Sequence, residues 1–130
     1  MYAEAEQKGV ARMDARLTIL KGPSSGQTMP IPAGTLIIGR EKDCELRSMS
    51  EFVSRHHCVV LHDEYSLRIR DLGSTNGTFV NDCRITNGET ILLHGDIVSI
   101  GDLAFKIDLE PAMPESARVA LAELAGQGVL

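Results

Sequence analysis

The sequence predicts an all-β domain, either a sandwich or a barrel, from two observations. Between residues 15 and 109 the chain breaks into short apolar runs, several with period-two alternation and none with helical periodicity. Turn-forming Gly, Pro, Asn and Asp separate these runs at spacings of roughly 8–12 residues, which is typical of sandwiches and barrels. With 130 residues and 43% apolar side chains, the chain has the size of one domain that buries its own core.

The clearest predicted strand is the SLRIR segment. There Leu67 and Ile69 are expected to face the core while Arg68 and Arg70 face water, because successive strand side chains alternate between two faces. The predicted strands are 15–20, 35–39, 57–62, 66–70, 90–93, 96–101 and 103–109, with a further short run at 78–80. Gly, Ser, Asn and Asp are frequent in the segments predicted as turns and loops, which are 22–27, 71–77 and 87–89.

The two ends of the chain differ from this core. Residues 1–14 show no apolar period and are expected to form a disordered leader or part of a linker. Residues 110–130 form a C-terminal extension in which Pro114 can open a short helix and Gly126 can close it. A helix of about 11 residues is marginal alone, so it would dock on the β-domain or lead into a further domain.

Composition and charge argue against several classes of protein. The 13 basic and 18 acidic residues give a net charge of -5, which disfavours a nucleic-acid binder with a broad basic face. No run approaches the roughly 18 apolar residues of a membrane span, and the polar N-terminal stretch lacks a signal-peptide core. We therefore expect a cytoplasmic protein that binds neither nucleic acid nor membrane.

The cysteines and histidines predict neither a disulfide framework nor a metal site. Cys44, Cys58 and Cys83 include no CxxC pair, and an odd count does not suggest paired cysteines. In an extended segment His56 and Cys58 would face one way and His57 the other, which leaves no tetrahedral ligand set. We expect packing thiols, no metal and no cofactor.

Polar residues at the ends of predicted strands carry the chemistry of this chain. Loops at one end of a sandwich come together in space, so residues distant in sequence can form one site. These clusters offer a guanidinium, hydroxyls, side-chain amides and glycine backbone without a carboxylate pair, which favours holding an oxyanion. The clusters are Gly39-Arg40, 54–57, 74–77 and Asn81.

The same segments resemble the forkhead-associated (FHA) domain, a phosphothreonine-peptide-binding module. The resemblance is carried by GR at 39–40, SRHH at 54–57 and DLGSTNGTFVN at 71–81, and it continues through RI at 84–85, HGDIVSIG at 94–101 and Phe105. It spans roughly Leu17 to Leu109, so the domain is expected over residues 15–109. It implies a two-sheet β-sandwich of the SMAD/FHA type, with a phosphopeptide lying across the loops at one end.

The resemblance also implies a role for each matching residue. The phosphate-binding residues would be Arg40, Ser54, Arg55 and Thr75. Asn76 and Asn81 would hold the peptide backbone, whereas Gly39, His57 and Gly77 would be structural.

Two positions depart from the family's pattern. Ser48 stands where an apolar residue is common, so the short strand after Cys44 is expected to be frayed or shifted, and Asn81-Asp82 replaces the common Asn-Gly.

The implied function is a phosphothreonine-dependent interaction module in signal transduction. It would recruit a protein phosphorylated by a serine/threonine kinase, and other domains of a longer chain could also be partners. The alternative is a phosphate-independent interaction or self-association module of the same fold.

Ser54, His57 and Asp71 match a catalytic triad by residue type. The resemblance, however, implies a framework role for His57, which leaves no general base, and the sequence contains no nucleophile elbow. We expect no enzymatic activity.

Overall fold

The structure, a computed structural model, describes residues 13–86 and 88–111, and these residues form eleven strands in two sheets. The strands are β1 (Met13–Lys21), β2 (Thr28–Pro30), β3 (Gly34–Gly39), β4 (Leu46–Arg47), β5 (Cys58–His62), β6 (Leu67–Asp71), β7 (Phe79–Val80), β8 (Cys83–Arg84), β9 (Glu89–Ile91), β10 (Ile97–Ile100) and β11 (Leu103–Pro111). The predicted all-β, two-sheet fold is confirmed.

The two sheets differ in their strand order. One has six strands in the order β2-β1-β11-β10-β7-β8, and the other has five in the order β4-β3-β5-β6-β9. Neighbours are antiparallel except β3 and β4, which pair in parallel. No helix within the described ranges is long and apolar enough to cross a bilayer. The helix predicted between Pro114 and Gly126 lies outside the described residues.

Alternating side chains from both sheets build the core. In β6, Leu67 and Ile69 are fully buried and Arg70 is exposed, as predicted, whereas Arg68 is half-buried. Phe105 of β11 is the largest of the fully buried side chains. Period-two alternation therefore positions one apolar face of each sheet against the other.

Strand ends and short strands depart from the sequence prediction. β1 begins two residues earlier and β11 ends two residues later than predicted, because Met13 pairs with Pro111 across the two strands. The predicted strand 90–93 ends at Ile91, since the Leu93 N–H donates to the Asp96 carboxylate in a turn (2.7 Å). β2 and β8 have three and two residues, too few to show a period. β4 is also short, but its pairing of Leu46 with Ile38 is regular.

Candidate oxyanion-binding site

Three loops meet at one end of the five-stranded sheet. Ile38 near the end of β3 pairs with Cys58 at the start of β5, and Cys58 pairs with Asp71 at the end of β6. The β3–β4 loop (40–45), the β4–β5 loop (48–57) and the β6–β7 loop (72–78) therefore leave or enter the sheet side by side. This register brings together the sequence clusters around residues 40, 54 and 75.

The carbonyl group of Arg55 links the first two loops. It accepts hydrogen bonds from the backbone N–H of Arg40 (3.0 Å) and of Glu41 (3.1 Å), and from the Cys44 thiol (3.4 Å). Gly39 allows this approach, because a Cβ atom there would lie 2.1 Å from the Arg55 oxygen. Gly39 is buried, so any side chain at this position would push the two loops apart.

The guanidinium of Arg40 is held at one edge and free at the other. Its Nε donates to the Val53 carbonyl at 2.9 Å, and the side chain is half-buried. Among the described residues neither terminal amino group has a hydrogen-bond acceptor or a carboxylate partner. The fixed Nε leaves a planar fork of N–H donors for an anion.

Ser54 connects the second and third loops. Its hydroxyl oxygen accepts the backbone N–H of Thr75 at 3.1 Å, which leaves the hydroxyl proton available to an incoming acceptor. Thr75 itself is exposed, and its hydroxyl has no partner within the described ranges. Two hydroxyl donors thus lie at one junction of two loops.

His57 is buried completely and both of its ring nitrogens are occupied. Nδ1 accepts the Ser54 backbone N–H at 3.0 Å, and Nε2 donates to the Gly77 carbonyl at 2.8 Å. These partners require the neutral tautomer with its proton on Nε2. Burial lowers the pKa of His57, with smaller opposing effects from the Gly77 carbonyl and Asp71. His57 forms no hydrogen bond to the Ser54 hydroxyl, so the triad considered from the sequence is not formed.

Asp71 organises the β6–β7 loop, a role that the sequence analysis missed. Its carboxylate accepts the backbone N–H groups of Gly73 and Ser74 (both 2.9 Å) and the hydroxyls of Ser74 (2.6 Å) and Thr78 (2.7 Å). Burial by itself raises the pKa of Asp71, but these hydrogen bonds outweigh it and hold the pKa below its ordinary value. The Asp-x-x-Ser spacing was an available signal, because Asp commonly bonds backbone groups two and three residues ahead.

Asn76 and Gly77 complete this loop. The Asn76 side-chain N–H donates to the Phe52 carbonyl at 2.8 Å, which fixes the amide and leaves its oxygen free to accept. Gly77 has a φ of +92°, and a Cβ there would lie 2.7 Å from Nε of Arg84. Asn76 and Gly77 thus tie this loop to the β4–β5 loop, through Phe52 and His57.

Asn81 lies in the turn after β7, and no hydrogen bond among the described residues joins it to the other proposed site residues. Its side chain donates to Asp96 (2.9 Å) and accepts the Ile97 N–H (2.9 Å). Asn81 and Asp82 have φ values of 51° and 68° and form the turn of the β7–β8 hairpin. The peptide-binding role of Asn81 stays a prediction, and its contacts favour a role in fixing this turn.

Arg55 and Ser54 line an open cleft on one side of these loops. Arg55 is exposed, and its side chain has no partner in the described part of the chain. The other residues of the cleft carry both signs of charge, so the cleft is not a general positive surface. They are Glu41, Lys42, Asp43, His56 and Leu72. The cleft can therefore hold an oxyanion through specific hydrogen-bond donors more than through its net charge.

The run His56-His57-Cys58 does not converge on a metal. The His57 nitrogens are both occupied, and burial raises the pKa of the Cys58 thiol to about 12. Cys44, Cys58 and Cys83 are free thiols, of which Cys83 alone is exposed.

Comparison with known proteins identifies relatives of this architecture. The model of the FHA domain family matches residues 36–101. The ABC transporter ATP-binding/permease protein Rv1747 of Mycobacterium tuberculosis is 39% identical over 77 residues, which are 58% of this chain and 9% of that protein. The chain thus spans a small part of the length of this curated relative.

Two solved structures share the fold. A structure from an analysis of phosphothreonine-dependent FHA domain interactions superposes with a TM-score of 0.68 at 32% identity, covering 75% of this chain and 98% of that one. The FhaA FHA domain in complex with the intracellular domain of Rv3910 gives a TM-score of 0.64 at 32% identity, covering 72% and 98%.

Proposed function

The chain belongs to the FHA domain family, and on that premise we propose that it is an interaction module that recruits a partner protein through a phosphothreonine. One observation carries the proposal: three loops that meet at one end of the sandwich carry donors that have no acceptor among the described residues. They are the terminal N–H groups of Arg40 and the hydroxyl protons of Ser54 and Thr75. A phosphate group at this junction would satisfy all of them.

Within this site, Arg40 and Ser54 would bind the phosphate directly. The hydrogen bond from Nε of Arg40 to Val53 sets the plane of the guanidinium before the ligand arrives, which reduces the entropy lost on binding. Thr75 would add a hydroxyl donor, and Arg55 would reach the phosphate or the peptide from the cleft that it shares with Ser54.

Asn76 would hold the peptide backbone. Because Phe52 already fixes its N–H, the free amide oxygen can accept a backbone N–H of the peptide in a defined position. For Asn81 the hydrogen bonds to Asp96 and Ile97 support a structural contribution instead, and the peptide contact stays to be tested.

The proposed partner is a protein phosphorylated by a serine/threonine kinase. The solved FhaA complex joins an FHA domain to the intracellular domain of another protein, and an arrangement of this kind suits the present site. Residues 1–12 and 112–130 contain no threonine, so neither segment can supply the phosphothreonine. The ligand would therefore come from another molecule or from a more distant part of a longer chain.

We propose no catalytic role for the site and a cytoplasmic location for the module. His57 cannot act as a base on Ser54, because its two nitrogens bind the Ser54 backbone and Gly77. The three cysteines are free thiols, two of them buried, and free thiols are typical of proteins in a reducing compartment such as the cytoplasm. Protein kinases also phosphorylate their substrates there.

A degenerate phosphothreonine-peptide library, screened against the purified chain with its unphosphorylated counterpart, tests the proposal. We expect binding that depends on the phosphate and a preferred sequence around it. Equal retention of both libraries would contradict phosphate recognition and favour the phosphate-independent module. Peptides that contain phosphoserine in place of phosphothreonine test the threonine requirement, and equal affinity for them would contradict it.

A further inference from the structure

Three potential metal ligands converge where the β3–β4 and β4–β5 loops meet. Nε2 of His56 lies 3.0 Å and 3.1 Å from the two carboxylate oxygens of Asp43. The Cys44 sulfur lies 4.0 Å from the nearer of these oxygens, and one ligand atom from each residue falls within 4.8 Å of the others. Cysteine, histidine and aspartate are thus close enough to share one ion.

Hydrogen bonds fix the backbone that presents these ligands. The Cys44 N–H donates to the Glu41 carbonyl (3.2 Å), and its thiol donates to the Arg55 carbonyl (3.4 Å), immediately before His56. The same Arg55 oxygen accepts the Arg40 and Glu41 N–H groups. The backbone of the two loops is therefore ordered without an ion, which lowers the cost of assembling the site.

The spacing suits a tetrahedral ion. With metal–ligand distances of about 2.0–2.3 Å, tetrahedral geometry places ligand atoms about 3.3–3.7 Å apart. The distances of 3.0 Å and 4.0 Å to the Asp43 oxygen lie on either side of this range, and the His56 nitrogen and the Cys44 sulfur lie within 4.8 Å of each other. Rotation of the exposed Asp43 and His56 side chains, which are 67% and 43% accessible, can make up the difference.

The donor set selects the class of ion. A thiolate, an imidazole and a carboxylate together favour zinc and similar borderline cations over magnesium or calcium, which prefer oxygen ligands. Three protein ligands would leave a fourth position for water or another ligand.

We propose that Asp43, Cys44 and His56 form a binding site for one zinc-class divalent cation at the margin of the cleft that Ser54 and Arg55 line. On binding, the Cys44 thiol gives its proton to solvent, and a metal–sulfur bond replaces the hydrogen bond to Arg55. Imidazole and carboxylate complete the protein ligands. The site uses none of the proposed phosphate donors, although Asp43 and His56 line the same cleft as Ser54 and Arg55, so it can be tested without a phosphopeptide.

Titration of the reduced full chain with cobalt(II), followed by its absorption, tests the proposal without any phosphopeptide. We expect one equivalent to produce sulfur-to-cobalt charge-transfer absorption together with the visible bands of a tetrahedral ion, and zinc(II) to displace it. His56→Gln should weaken binding about tenfold or more, since loss of even an indirect partner of a metal ligand costs about 10–100-fold. Cys44→Ala should remove the charge-transfer band.

Matched controls use the exposed thiol and another exposed histidine. Cys83→Ser and His94→Gln should leave the cobalt affinity and spectrum unchanged. Because Cys44 is buried and its replacement can unfold the chain, Asp43→Asn serves as a further exposed variant that should weaken binding. Absence of stoichiometric binding by the parent would overturn the proposal. Parental affinity in folded His56→Gln, or loss of the sulfur band in Cys83→Ser, would do the same.

Discussion

Replacement of Gly39 by alanine should damage the site without touching any proposed ligand. The added Cβ would lie 2.1 Å from the Arg55 oxygen, whereas such contacts essentially never fall below 3.0 Å, so this carbonyl must retreat by about 0.9 Å. It would then weaken two backbone hydrogen bonds and one from a thiol. At about 0.5–1.5 kcal/mol for each bond, we expect a loss of about 2–3 kcal/mol in the free energy of unfolding.

Thermal unfolding and calorimetric peptide titration measure the two consequences. The stability loss corresponds to a fall in Tm of about 10–20 °C. Displacement of Arg40 or Ser54 from the phosphate should also weaken phosphopeptide binding about tenfold or more at a temperature where the variant is folded, as expected for one charge-assisted hydrogen bond.

Gly26→Ala provides the matched control. Gly26 has a φ of +94° and nothing within 4 Å of an added Cβ, so alanine there brings backbone strain of about 1–2 kcal/mol without a clash. It lies in the turn after β1, outside the three loops, and should lose stability but keep parental affinity. Parental Tm and affinity in Gly39→Ala would refute the close-approach argument.

Three further predictions separate ligand contacts from framework contacts. Ser54→Ala should weaken phosphopeptide binding about ten- to 150-fold, because it removes a charge-assisted donor. It should lower Tm by only a few degrees, because it also removes one hydrogen bond from the exposed Thr75 N–H. An unchanged affinity in the titration would exclude Ser54 as a phosphate ligand. Asn76→Ala should weaken peptide binding more than binding of free phosphothreonine, whereas Asn81→Ala should mainly lower Tm. If titrations and thermal melts instead show that Asn81→Ala loses peptide affinity at an unchanged Tm, Asn81 contacts the peptide. Burial lowers the pKa of His57 below 6.5 in the folded chain, so on acidification the unfolded chain takes up the proton at a higher pH than the folded chain does. The free energy of unfolding should therefore decrease as the pH falls below about 6.5. The decrease should level off below the folded-state pKa. Denaturant titrations that show no decrease between pH 7 and 5 would contradict the neutral imidazole.

Periodicity predicted the strands that carry a full alternation and missed those that do not. Leu67 and Ile69 identify β6 because two successive apolar positions alternate with polar residues in the SLRIR segment. β2 and β8 contain two or three residues, and neighbouring strands create them by pairing. Strand ends likewise depended on a partner, as the pairing of Met13 with Pro111 shows.

The sequence predicted those residues of the site that lie within short contiguous motifs. Arg40, Ser54 and Thr75 lie in strings that resemble a known family, and the sheet register brings those strings together. The hydrogen bonds of Asn81 to Asp96 and Ile97 could not be predicted, because they depend on where β10 lies beside the hairpin. The proximity of Asp43 to His56 is likewise a consequence of loop packing, which no short spacing signals.

The most direct test of phosphate recognition is calorimetric titration of one phosphothreonine peptide into the parent, Arg40→Ala and Arg40→Lys, each first shown to be folded. We expect Arg40→Ala to lose about 2–4 kcal/mol of binding free energy, or about thirtyfold or more in affinity. Arg40→Lys should recover little of this loss, because an ammonium keeps the charge without the planar fork. Full rescue by lysine would keep the site but reject the fork, whereas near-parental affinity in Arg40→Ala would contradict phosphothreonine binding at these loops.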